Sequence, residues 1–158
     1  SDKSSRPGFG VRIARIFALI GPGMPLDGSF AAGNFVRDAL HGQTITINGD
    51  GRPVRSFLYM ADLCVWLLRI LHLGECGHAY NVGSESSISI IDFAKKIASV
   101  SGLKSDIVIN KPADFSAVPS RYVPDTNRAR RELNLSEYTE MDLALIKTIQ
   151  WHMNMVNS

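Results

Sequence analysis

Arg55 and Arg121 are the side chains of this sequence best placed to grip an anion. Arg55 follows a turn, Asn48 to Pro53, and precedes the apolar stretch Ser56-Phe57-Leu58-Tyr59. Its backbone is therefore held at the start of an ordered element while its side chain projects. A guanidinium offers a rigid fork of donors that matches phosphate oxygens, and that is the chemistry such a placement suits. The competing reading is a surface ion pair with Asp50 or Asp62. Arg121 lies in a proline-rich stretch beside Tyr122, a cation next to an aromatic face, with a solvated loop charge as its alternative. Arg128, Arg130 and Arg131 read as a wet helix face partnered by Glu132 and Asp125.

Other chemistries fail on spacing. A dinucleotide cradle needs three glycines at fixed offsets so that the backbone can approach the pyrophosphate. Gly21 and Gly23 are followed by Leu26 where the third belongs, and Gly49 and Gly51 by Val54. Gly23 and Gly28 have P-loop spacing, but Ser29-Phe30 follows where Lys and a hydroxyl residue are required. A tyrosine base needs a lysine one helical turn later. Tyr59, Tyr80, Tyr122 and Tyr138 meet Leu63, Ser84, Thr126 and Asp142 at that offset. His72, Cys76 and His78 flank a helix end and a strand start without a fourth metal ligand nearby. Cys64 reads as core, and His41 and His152 as solvated helix residues.

The elements that must carry Arg55 and Arg121 follow from periodicity. Val11 to Ile20 is a nearly continuous apolar run, as in a strand buried on both faces. After the loop GPGMPLDG, Ser29 can cap a helix with Ala32, Phe35, Val36, Ala39 and Leu40 inward, ended by Gly42. Thr44 to Ile47 alternates as a short strand. Asp62 to Leu73 forms an apolar helix that must be covered on most sides, with Asp62 as its cap. His78 to Val82 is a strand with Asn81 bonding at its end. Ser89 and Asp92 resemble a capping box for a helix closed by Gly102. Asp106 to Ile109 is a strand, residues 111–124 a loop, and Thr126 to Leu133 a short helix. The last helix, Glu140 to Met153, keeps Leu143, Ile146, Ile149 and Met153 inward. The sum is a mixed α/β domain over residues 11–158 with a flexible, polar lead-in over 1–10.

Composition agrees. The 158 residues are 45% apolar with a formal charge of +2, too little to argue for nucleic acid. Two cysteines make no disulfide scaffold, and no stretch has the length of a membrane span. With no secretory signal at the start, the cytoplasm is the default compartment.

Four segments in register carry a resemblance: VRIARIFALIGP, RSFLYMADL, AYNVGS and RYVPDTNRARREL. They resemble the carboxy-terminal half of extended short-chain dehydrogenase/reductases, the group of nucleotide-sugar epimerases, dTDP-glucose 4,6-dehydratases and UDP-glucuronate decarboxylases. The likeness runs from about Val11 to His152. It implies the last strands of a Rossmann-type NAD(P)-binding sheet plus a small mixed α/β lobe that holds the substrate. The glycine fingerprint and the Tyr-x-x-x-Lys pair would lie in an upstream half absent from this chain, so NAD would be bound there and this chain alone would be inactive.

The resemblance also implies roles. Arg55 matches the family arginine that contacts the diphosphate. Thr46 and Asn48 fall at the strand end that lines the base. Phe30 and Ala31 match the helix start whose backbone meets the diphosphate, and Asn34 matches an Asn of decarboxylase-like members. Arg121 and Tyr122 match a second anchoring segment, near phosphate and ribose respectively. Ala18 and Ile20 stand where relatives often carry Asn and Tyr, so no reaction branch is assigned. The implied ligand is a nucleoside-diphosphate sugar, UDP- or dTDP-linked, processed through a 4-keto intermediate. A stand-alone nucleotide-sugar binding or regulatory module is the alternative. An uncovered edge along Val11 to Ile20 would make the isolated chain self-associate.

Overall fold

The computed structural model describes residues 10–156, so the expected lead-in falls almost wholly outside it. In chain order the elements are β1 (Ile13–Ile16), β2 (Leu19–Ile20), α1 (Ala31–Leu40), β3 (Ile45–Ile47), β4 (Val54–Ser56), β5 (Leu58–Tyr59) and α2 (Met60–Leu73). They continue as β6 (Ala79–Val82), β7 (Ser87–Ser89), α3 (Ile90–Ser101), β8 (Ile107–Ile109), β9 (Arg121–Tyr122), α4 (Asn127–Leu133) and α5 (Met141–Val156). β1 pairs with β6, β2 with β5 and β3 with β8, each in parallel. β4 lies between antiparallel β7 and parallel β9.

The opening apolar run is two strands rather than one, because the chain changes partner at Phe17-Ala18: Phe17 N still bonds Val82 O, whereas Leu58 N bonds Ala18 O. Nor is the first strand buried on both faces. Ile13 and Ile16 are 46% and 45% exposed, since β6 is the one bonded neighbour of β1 among the described residues. The same holds for α2. Trp66 and Ile70 are buried, but Val65, Leu68 and Leu71 face solvent and Cys64 is exposed rather than core. A mostly apolar helix sequence demands cover without supplying it.

Local signals hold best at α3. Ser89 Oγ accepts the Asp92 amide at 3.1 Å, and Gly102 takes the left-handed conformation at φ 69° that ends the helix. At α1 the cap residue is Phe30 instead of Ser29, with no side-chain cap bond. Gly33 matters for closeness: a Cβ there would sit 2.2 Å from the Pro25 carbonyl oxygen, so only glycine lets the 24–28 loop lie on α1. Asp62 does not cap α2. Its buried carboxylate accepts the Tyr138 and Thr139 amides, both at 2.9 Å, and the Thr139 hydroxyl at 3.0 Å. Asn81 does bond as expected, donating to Asp125 O at 2.8 Å. In α5 the buried stripe is Ala144, Leu145, Thr148, Ile149 and His152, while Leu143, Ile146 and Met153 are exposed. Apolar residues on every side of that helix left the stripe undetermined by period alone. His152 is thus buried, not solvated.

Two apolar cores result. One gathers α1, β3, α3 and α5 around Phe35, Phe57 and Phe93, with the Phe57 and Phe93 rings stacked at 4.1 Å. The other packs Trp66 and Ile70 against Tyr80, Val82, Ala129 and Leu133.

Candidate functional site

A cleft of about 300 Å³ opens beside the first core, between the start of α1, the end of β3 and the turn leading into β4. That is at the lower end of the roughly 300–1,000 Å³ range of small-molecule sites. Ala31, Asn34, Thr46, Asn48 and Arg55 line it, so the fold brings these expected residues around one space. The reason is local. β3 buries Ile45 and Ile47 and turns Thr46 outward between them. The start of α1 presents uncapped backbone amides with no acidic residue in its first turn, a setting that favours an anion. Asn34 Oδ1 accepts Arg37 Nη1 at 3.3 Å, which fixes its amide.

Arg55 is half-buried on the cleft wall. Its Nη1 donates to Val54 O at 2.8 Å and Ser120 O at 3.2 Å, and both Nη1 and Nη2 reach Ser120 Oγ at 3.3 Å. These are neutral oxygens. Asp50 turns to Arg52, at 4.0 Å, and Asp62 to residues 138–139, so the competing ion-pair reading fails. Among the described residues no carboxylate pairs with Arg55.

The remaining expected residues sit apart from the cleft lining. Phe30 is 75% exposed. Arg121 and Tyr122 form β9 inside the stretch expected to be loop, and Tyr122 pairs across β4 with Arg55. Their side chains leave the cleft, however. Arg121 donates to Ser87 Oγ at 3.2 Å, and the Tyr122 ring stacks on Phe17 at 4.8 Å.

A larger cleft of about 540 Å³, unforeseen in the sequence, is lined by Glu85, Glu137, Glu140 and Arg130 among others. Arg130 is not a wet-face cation; it pairs with Glu85 at 3.0 Å. The Thr126 hydroxyl, helped by its amide and by Arg130 and opposed by burial, holds the Glu85 carboxyl below its ordinary value. Glu137 accepts Ser84 Oγ and the Glu85 amide at 2.6 and 3.1 Å. With acids in excess and their cation already taken, this cleft repels anions. No local spacing could have announced it, because its partners lie 41 to 53 residues apart.

Two of the glycines are closed by their neighbours. A Cβ at Gly21 would meet the Met60 side chain at 2.8 Å, and one at Gly33 the Pro25 carbonyl. These two glycines serve chain packing rather than a pyrophosphate. No helix among the described residues is long and apolar enough to cross a membrane.

Comparison with known proteins agrees with this architecture. The chain is 31% identical over 144 residues to UDP-glucuronic acid decarboxylase 1 of Xenopus tropicalis, covering 91% of this chain and 34% of the relative. It is 29% identical over 132 residues to UDP-glucuronic acid decarboxylase 6 of Arabidopsis thaliana, covering 84% and 38%. Among solved structures, an epimerase from Methanothermobacter thermautotrophicus superposes with a TM-score of 0.79 at 25% identity, over 91% of this chain and 43% of that one. The UDP-glucose 4-epimerase of Thermotoga maritima with UDP-glucose gives 0.81 at 20% identity, over 92% and 46%. The fold is therefore that of Rossmann-type epimerases, and the chain spans less than half the length of these relatives. The family model for NAD dependent epimerases and dehydratases matches residues 3–83, just over half of the 158, and on that match this chain belongs to the NAD-dependent epimerase/dehydratase family.

Proposed function

We propose that this chain is the nucleotide-sugar-binding portion of an NAD-dependent sugar epimerase or dehydratase acting through a 4-keto intermediate. The observation that carries it is Arg55: a guanidinium on a cleft wall, beside uncapped helix amides, held by neutral oxygens alone. Phosphate oxygens are stronger partners than carbonyls or hydroxyls, so a diphosphate entering the cleft would displace them. Thr46 and Asn48 would line the base, with Ala31 and Asn34 beside the diphosphate. Arg121, Tyr122 and Phe30 would stand at the margin, since their side chains point elsewhere. UDP is the favoured nucleotide, in keeping with the UDP-sugars named in the relatives.

When bound, NAD would take up and return the sugar's hydride; residues outside this chain would hold it. The role of these residues is binding and orientation, so the 158-residue chain by itself would not turn over. The exposed apolar residues of β1 and α2 support that reading, as surface that a cofactor-binding half of the same protein would cover. Left open, that face would make the isolated chain self-associate, and a monomer in small-angle scattering would contradict this.

In the intact protein, Arg55→Ala should raise the Kd for UDP at least about tenfold, equivalent to about 1.4 kcal/mol. Isothermal calorimetry decides it. Unchanged affinity would remove Arg55 from the site.

A further inference from the structure

One side chain of the cleft has its orientation decided by a residue that lies behind it. A primary amide presents an acceptor oxygen at one end and an NH2 donor at the other, so the end turned to a ligand decides which ligand groups it takes. Asn34 lines the cleft, and its Oδ1 receives Arg37 Nη1 at 3.3 Å. A guanidinium carries donors only. Turned over, the amide would set its own NH2 against the hydrogens of Nη1. The oxygen therefore belongs to Arg37, and the NH2 is the end available to a ligand. Among the described residues no acceptor takes it.

Arg37 is itself fastened. Its Nε and Nη2 donate to Asp38 Oδ1 at 3.0 and 2.7 Å, and Asp38 is buried. Nη1 also reaches Leu26 O at 3.3 Å, in the loop that Gly33 lets lie on α1. Two charge-assisted bonds to a buried carboxylate fix the guanidinium and answer its charge. Arg37 does not line the cleft, so any effect it has on a ligand passes through its neighbours. The uncapped amides at the start of α1 and the Arg55 guanidinium are donors on the same cleft. An Asn34 amide held NH2-outward adds a third donor to that set.

We propose that Arg37 is a positioning residue: it holds the Asn34 amide so that Nδ2 donates to an oxygen of the bound diphosphate. The inference rests on the nucleotide reading of the cleft and assigns the polarity of one of its contacts. Arg37 itself touches no ligand atom.

Calorimetry with UDP on the intact protein tests it as a double-mutant cycle. Asn34→Ala should raise the Kd about tenfold, as for a bond to a charged oxygen. Removing Arg37 together with its charge, as R37M/D38N, avoids stranding the buried carboxylate and should raise the Kd about fivefold. In the Asn34→Ala background the same pair of changes should add nothing, because the amide it positions is gone. Should R37M/D38N not fold, Arg37→Lys, which keeps a cation beside Asp38 but gives up the fork, runs the same cycle. In the wild-type protein, the Asn34 side-chain NH2 signals, identified in amide NMR spectra by their loss in Asn34→Ala, should shift as UDP saturates. An equal rise in Kd with and without Asn34 would mean that Arg37 acts by clamping the loop at Leu26, and the inference falls. It falls also if UDP binds while Asn34→Ala leaves the Kd unchanged, and in both cases the nucleotide reading stands. If UDP does not bind the wild-type protein, the nucleotide reading fails and takes the inference with it.

Discussion

The two cores of this chain are finished to different degrees. Around Phe35, Phe57 and Phe93, elements from both halves of the sequence close on one another and the cleft opens beside them, although α5 still turns Leu143, Ile146 and Met153 to solvent. Around Trp66 and Tyr80 the inner side chains are just as buried, yet β1 and α2 turn Ile13, Ile16, Leu68 and Leu71 to solvent. The contrast separates two meanings of an apolar residue. On the closed side it walls the cleft; on the open side, under the proposed function, it is surface for further protein to cover.

Mutations should break the molecule along that line. Phe93→Ala, at a position with no solvent exposure and a ring stacked on Phe57 at 4.1 Å, should cost about 3–5 kcal/mol in urea denaturation. A loss near that of a surface substitution would mean the first core is not what holds the cleft.

A smaller effect should come from a buried polar group beside the first core. His152 is buried, its Nε2 has no partner, and burial pushes its imidazole below the ordinary 6.5. The unfolded chain then binds the proton first as pH falls, so this group's contribution is intact above about pH 6.5 and is lost progressively below it. His152→Leu should flatten the stability profile between about pH 7 and 5. An unchanged slope would assign the acid sensitivity to other groups.

Least of all should Leu68→Ser matter to folding. At 67% exposure it should change stability by less than about 0.5 kcal/mol, while reducing association of the isolated chain in sedimentation. A large stability loss would show that α2 is already covered, and would erase the contrast between the sides.

How far the sequence foretold this depends on the range of each signal. Ser89, Asp92 and Gly102 act within one helix, and α3 follows them closely. Ile45, Thr46 and Ile47 alternate, and β3 obeys. By contrast β4, β7 and β9 are two or three residues long and exist only because segments 31 to 67 positions apart pair, which no local pattern announces. α2 shows the limit of composition: Cys64, Val65 and Leu68 are as apolar as Trp66, and only the neighbours decide which are buried. At the cleft, Arg55 was legible from the turn before it. Its rest position on Ser120, 65 residues away, was not, nor was the departure of Arg121 and Tyr122 toward Ser87 and Phe17.

The near-contact at Gly33 carries an evolutionary corollary. The wall formed by α1 stands where it does because a single methyl group is missing, and the Pro25 carbonyl occupies its place. A lineage that replaced this hydrogen with any side chain would have to pry the helix from the loop, altering the width of the mouth in one step. Selection for a bulkier or slimmer cargo could therefore act at a residue that never touches it.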